Sequence, residues 1–128
     1  MSVAKEKAMQ IRNNPALMTN CSETILMAYA NELGLTENQA AALATNFGGG
    51  MKCGATCGAI TGALMVLGAL GVNDSKSVSD FYKEIRNNHN GMTNCVDLLR
   101  ENAPKGNEKK THGDAMIYEA IDLIEKLR

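Results

Sequence analysis

The amino-acid sequence predicts an all-α fold, a compact bundle of about six to seven helices around a buried, glycine-rich central helix. Three observations predict it. Apolar residues recur at three- and four-residue intervals, with almost no strand-type alternation. Asn20 and Thr36, both helix-capping residue types, each stand three positions ahead of Glu23 or Gln39. A run of twenty residues without a charge, Cys53 to Val72, occupies the middle of the chain. The 128 residues are expected to form one helical domain, long enough for one hydrophobic core but not for two.

The elements follow in order. Ala4, Ala8 and Ile11 place one apolar face on a helix over residues 3–12, and Asn13-Asn14-Pro15 stops it. The Asn20 capping box opens a second helix through ILMAYANELG, ending at Gly34, and the Thr36 box opens a short Ala-rich helix to about Asn46. After Gly48-Gly49-Gly50 the spacing predicts a long apolar helix from about Met51 to Leu70. A helix beginning at Ser77-Val78-Ser79-Asp80 runs through FYKEIRNN, and His89 in NNHNG reads as its C-terminal cap. A short helix starts at Asn94-Cys95 and runs through Arg100. Residues 101–113 read as a polar loop, and DAMIYEAIDLIEKLR closes the chain as an amphipathic helix.

Within the long apolar helix, Cys53, Cys57, Ile60, Leu64 and Leu67 share one stripe, with Gly54, Gly58 and Gly62 beside it. Glycine costs about 1 kcal/mol in a helix interior, so this stripe calls for close backbone contact with another helix. The three consecutive glycines match neither G-x-x-x-x-G-K-[ST] nor G-x-G-x-x-G; a tight turn joining two helices is their expected use.

Composition narrows the function. The formal net charge is -1 with well-mixed signs, and Trp is absent, so neither phosphate attraction nor base stacking points to nucleic acid. The uncharged run approaches the length of a membrane span, but its five glycines and two threonines and its lack of a basic flank fit a buried helix instead. No membrane partner is expected. Charge and Asn-Asn-Pro in the first twenty residues stand where a signal peptide needs an apolar block, so a cytoplasmic location is expected.

In that reducing compartment, four cysteines are reactive thiols, metal ligands or buried residues sooner than permanent disulfides. The tetrapeptide MTNC occurs at 18–21 and 92–95, each time with Asn as cap and Cys as the first helical residue, while Cys53 and Cys57 fall in the first two turns of the long apolar helix. All four thiols are thus expected near helix N-termini, where the dipole and free N–H groups favour a thiolate.

Asn20-Cys21, FGGGMKCGATCGAITGALMVLG and GMTNCVDLL together resemble the C_GCAxxG_C_C family, named for its cysteine pattern and described as redox-active. The resemblance runs from about Asn20 to the last helix. It implies that Cys21 is the first family cysteine, that Cys57 with Gly58, Ala59 and Gly62 is the central motif, and that Cys95 is the third. Cys53 matches none. The family pattern implies a last cysteine just ahead of the closing helix, where this chain reads Thr111-His112-Gly113-Asp114-Ala115; His112 is a substitute ligand there or simply a solvated loop residue.

The expected function is a redox-active protein working through Cys57, Cys21 and Cys95, with Cys53 as a local fourth. Two mechanisms fit: thiol–disulfide exchange, or an iron–sulfur or other metal centre held by thiolates for electron transfer. No C-x-x-C is present, so either site has to be assembled by the fold, with Cys57 paired to Cys21 or Cys95 as the first choice of dithiol. The expected partner is a redox protein or a small-molecule oxidant. The alternative is a helical interaction module, or a homodimer, in which the Gly stripe and eight methionines make the contacts and the thiols are incidental.

Overall fold

The computed structural model describes residues 2–102 and 109–128. Among them the chain forms seven α-helices and no strand: α1 (Val3–Asn13), α2 (Cys21–Tyr29), α3 (Glu37–Ala44), α4 (Gly58–Ala69), α5 (Ser75–Asn88), α6 (Cys95–Asn102) and α7 (Lys109–Leu127). The all-α expectation holds. No described helix is long and apolar enough to cross a membrane.

The caps explain most helix starts. Asn20 Oδ1 accepts the Glu23 N–H at 2.8 Å and Glu23 Oε1 accepts the Asn20 N–H at 2.8 Å, a reciprocal box that also holds for Thr36 and Gln39. After α2 the chain turns once more and stops at Gly34, whose φ of +74° lets the Leu35 N–H reach back to the Ala30 carbonyl at 2.9 Å. Two starts differ from expectation. Asp74, not Ser77, caps α5, its carboxylate accepting the Ser77 N–H at 3.0 Å. The closing helix α7 begins at Lys109 instead of Asp114, its first turns supported by a Lys110–Asp114 ion pair at 3.0 Å. Of the polar loop expected over 101–113, residues 103–108 lie outside the described part of the chain.

The largest correction concerns the long apolar helix, which starts at Gly58 and not at Met51. Residues 49–52 are left-handed throughout: Gly49 at φ +63°, Gly50 at +65°, Met51 at +57° and Lys52 at +58°. Two glycines open this turn at no steric cost, and Met51 and Lys52 follow at about 1–2 kcal/mol each. Ala55 N–H closes it onto the Gly50 carbonyl at 2.9 Å. The chain then runs extended, pairing Thr56 with Asn94 in an isolated antiparallel bridge before α4 begins.

Helix α4 packs on α2 and α7. A Cβ on Gly58 would lie 3.0 Å from the Phe47 carbonyl oxygen and 3.3 Å from the Ser22 nitrogen, and one on Gly62 would lie 3.2 Å from Ser22 Cα. The small-residue stripe is therefore a helix–helix contact, made by Gly58 and Gly62 without Gly54, which lies in the preceding turn. Around it Ile25, Tyr29, Ile60, Val66, Phe81, Ile117 and Ile121 form a core in which each is essentially fully buried, an aliphatic or aromatic burial worth about 1.5–3 kcal/mol apiece.

This packing separates two glycines of one helix. Gly68 has nothing within 4 Å of an added Cβ, so Gly68→Ala is expected to raise stability by up to about 1 kcal/mol through helix propensity. Gly58→Ala, blocked on three sides by backbone atoms, is expected to lower it by about 1–3 kcal/mol. Thermal melts of the two variants check this, and shifts of the same sign would count against a tight α2–α4 contact.

Candidate functional site

Three cysteines from three helix starts meet. Cys21 is the first residue of α2, Cys57 the N-cap residue of α4 and Cys95 the first residue of α6. The α2–α4 contact sets Cys21 beside Cys57, because Ser22 and Gly58, the residues next to them, touch. The Thr56–Asn94 bridge sets Cys95 beside Cys57: the Cys57 N–H donates to the Thr93 carbonyl at 2.9 Å and the Cys95 N–H to the Ala55 carbonyl at 2.6 Å. All three line one cavity of about 600 Å³, together with Arg12, Gly49 and His112.

Cys53 is not part of this group. It lies in the irregular Gly50–Gly54 turn, exposed, its thiol 3.4 Å from the Gly50 carbonyl, and it does not line the cavity. The expectation that it sits on a helix in register with Cys57 fails because the left-handed residues ahead of it break the helical period.

Electrostatics set the protonation state. Burial pushes the Cys57 thiol up to about 11, against the amides of Ala59 and Ile60, which favour its anion. Those amides form no capping hydrogen bond with the side chain. Burial also pushes Cys21 up to about 12, with Cys57 and Cys95 adding repulsion and the Arg12 guanidinium opposing it. Desolvation wins over the helix dipole at both sulfurs, so both are thiols at neutral pH.

Arg12 is the strut of the cavity wall. Its Nε donates to Asp114 at 2.6 Å and Nη1 to the Thr19 carbonyl at 2.6 Å, tying α1 to the segment before α2 and to the first turns of α7. His112 is 6 % exposed, on the fourth residue of α7. It is no solvated loop residue: burial, with a smaller contribution from His89, lowers its pKa. His89 does cap α5, and its Nε2 lies 2.8 Å from Glu119 Oε1. The sequence held a signal for His112 that a loop assignment hides, since the buried stripe of Ile124, Ile121, Ile117 and Met116 extends back by helical steps to Gly113 and His112.

A family model described as "Putative redox-active protein (C_GCAxxG_C_C)" matches residues 19–127. The chain belongs to the C_GCAxxG_C_C family. No curated protein and no solved structure matches it. In this C_GCAxxG_C_C protein the matched span contains all three cavity cysteines and His112. Thiolate is the donor type that iron–sulfur clusters and soft metals take. Among the described residues, however, no group of three or more His, Cys, Asp or Glu side chains is disposed to hold a metal ion, so the side chains as placed do not fit a cluster.

A thiol whose pKa is raised by folding contributes stability that is complete below its ordinary value and is lost as pH rises through the folded one. For Cys57 the window runs from 9.0 to about 11. Urea midpoints of the wild type are expected to fall across it, and those of Cys57→Ala to fall less steeply. Parallel curves would mean that Cys57 is not desolvated.

Proposed function

We propose that this C_GCAxxG_C_C protein is a dithiol redox protein of a reducing, cytoplasmic setting, exchanging disulfides through Cys57 and a partner thiol, Cys21 or Cys95. One observation carries the reading: residues 36 and 38 positions apart along the chain, at the starts of three helices, line one cavity. Free buried cysteines are common in cores singly, whereas these three line one common cavity.

The exchange balances with two thiols. One sulfur attacks a substrate disulfide and forms a mixed disulfide as the first substrate thiol leaves; the second cysteine attacks that bond and releases the second thiol. The protein loses two electrons and the substrate gains them. A redox protein or a small-molecule disulfide suits the role of partner. Raised thiol pKa values make the free protein slow toward adventitious oxidants and dependent on a proton acceptor in the site.

Reduced protein treated with a small disulfide, quenched with an alkylating agent and mapped by mass spectrometry tests this. A Cys57–Cys21 or Cys57–Cys95 linkage is expected, absent in Cys57→Ser and retained in Cys53→Ser. Recovery of all three cavity cysteines in the alkylated form after oxidant would sink the reading. Metal and sulfide analysis of anaerobically purified protein is the complementary measurement, since a visible chromophore would favour a cofactor over thiols alone.

A further inference from the structure

The cysteine cavity carries apolar side chains where its wall meets the protein surface. Leu17 and Met18, in the segment between α1 and α2, both line it, yet Leu17 is 40 % and Met18 97 % exposed. Neither is part of the hydrophobic core. Of the six large apolar residues exposed among the described residues, a third, Val96, directly follows the cavity residue Cys95. Val96 Cβ lies 3.3 Å from where a Cβ on Gly54 would stand, against the turn that precedes α4. Leu99, one turn further along α6, continues the apolar lining.

The formal charges of the wall cancel within the protein. Arg12 and Lys110, which line the cavity, both pair with Asp114, at 2.6 Å and 3.0 Å. Glu23, the carboxylate in the lining, accepts the Asn20 N–H at 2.8 Å. Two cations thus stand against two carboxylates, each held by the fold. An anionic disulfide gains no net Coulomb attraction from such a wall, whereas apolar surface laid on Leu17 and Met18 is removed from water. At about 600 Å³ the cavity has the size of a small-molecule site. Met18 is so exposed that an occupant contained in the cavity leaves most of it in water; an occupant that extends past the rim, as a polypeptide does, covers it.

We propose that the cavity selects disulfides of polypeptides whose cysteine is flanked by apolar side chains, and that Leu17 and Met18 are the specificity residues that seat those side chains. The inference rests on the dithiol reading above and names its substrate class. A cavity sulfur bonds to one sulfur of the seated peptide as the peptide S–S bond breaks, and the thiol proton leaves with the departing peptide thiol. Methionine suits the rim because its unbranched, polarizable side chain adapts to apolar partners of different shape.

The test compares three disulfides as substrates of the reduced full chain: the disulfide-linked dimers of acetyl-Leu-Cys-Leu-amide and acetyl-Ser-Cys-Ser-amide, and oxidised glutathione. Rates of reaction at the cavity cysteines are followed by alkylation and mass spectrometry. The leucine dimer is expected to react at least about tenfold faster than either of the others, the ratio that burying one apolar side chain supplies. Met18→Ser and Leu17→Ser are each expected to lower that ratio by at least about threefold, whereas Leu43→Ser, at an exposed leucine on α3 that does not line the cavity, keeps it. Circular dichroism checks the folds; should Leu17→Ser lose structure, Met18→Ser, at a side chain in water, decides. Equal rates for the leucine and serine dimers, a preference for oxidised glutathione, or a ratio unmoved by Met18→Ser overturns the proposal while leaving the dithiol reading intact. So does a dimer of the chain itself that sedimentation detects in the wild type and not in Met18→Ser, since the apolar rim is then a self-association face. Cavity cysteines that react with none of the three disulfides would remove both readings.

Discussion

The arrangement of this protein depends on one close approach, that of the α4 backbone to Ser22 of α2. Atoms of Ser22 lie 3.2–3.5 Å from where side chains would begin on Gly58 and Gly62. Ser22 is fixed in turn, its hydroxyl donating to the Ala44 carbonyl at 2.7 Å, so α2, α3 and α4 share one tight joint. Because Cys21 precedes Ser22 and Cys57 precedes Gly58, the contact that stabilises the bundle also brings two thiols together. Packing and chemistry are coupled at the level of adjacent residues.

The third thiol arrives by a different device. Three glycines in a row serve three needs in the turn ahead of α4. A side chain on Gly48 would overlap Asn20, Gly49 opens the left-handed turn, and a side chain on Gly50 would collide with Ala55. The turn frees residues 55–57 from the helix, and two of their backbone groups pair with residues 93–95 instead, the Cys57 N–H with the Thr93 carbonyl and the Ala55 carbonyl with the Cys95 N–H. The left-handed conformation of Met51 and Lys52 costs energy that a continuous helix would not. In return Cys57 becomes an N-cap residue beside Cys95, and Cys53 is left outside.

Burial governs the character of the cluster more than the helix dipoles do. A helix N-terminus contributes on the order of 0.3–1 kcal/mol at a surface, and removing a sulfur anion from water outweighs that here, as the raised values of Cys21 and Cys57 indicate. The Arg12–Asp114 pair, at 10 % and 21 % side-chain exposure, holds the α7 wall against this desolvated group. Removing either partner would strand a half-buried charge, so the pair serves to hold the α7 wall in place.

Read alone, the sequence determined the all-α class, the capped starts of α2 and α3, the start of α6 at Cys95, and the family. Those features rest on local rules: caps act within three residues, helical faces repeat every three to four, and a motif is a string. Tertiary structure alone decided that α4 begins at Gly58, that Cys53 is excluded, that His112 is buried at the cavity, and that the Cys21 and Cys57 thiols stay protonated. Each of these turns on atoms distant in the chain. The bridge to residues 93–95 competes with helix for residues 55–57, Arg12 reaches across to the start of α7, and desolvation depends on everything packed around a sulfur, which no window of sequence contains.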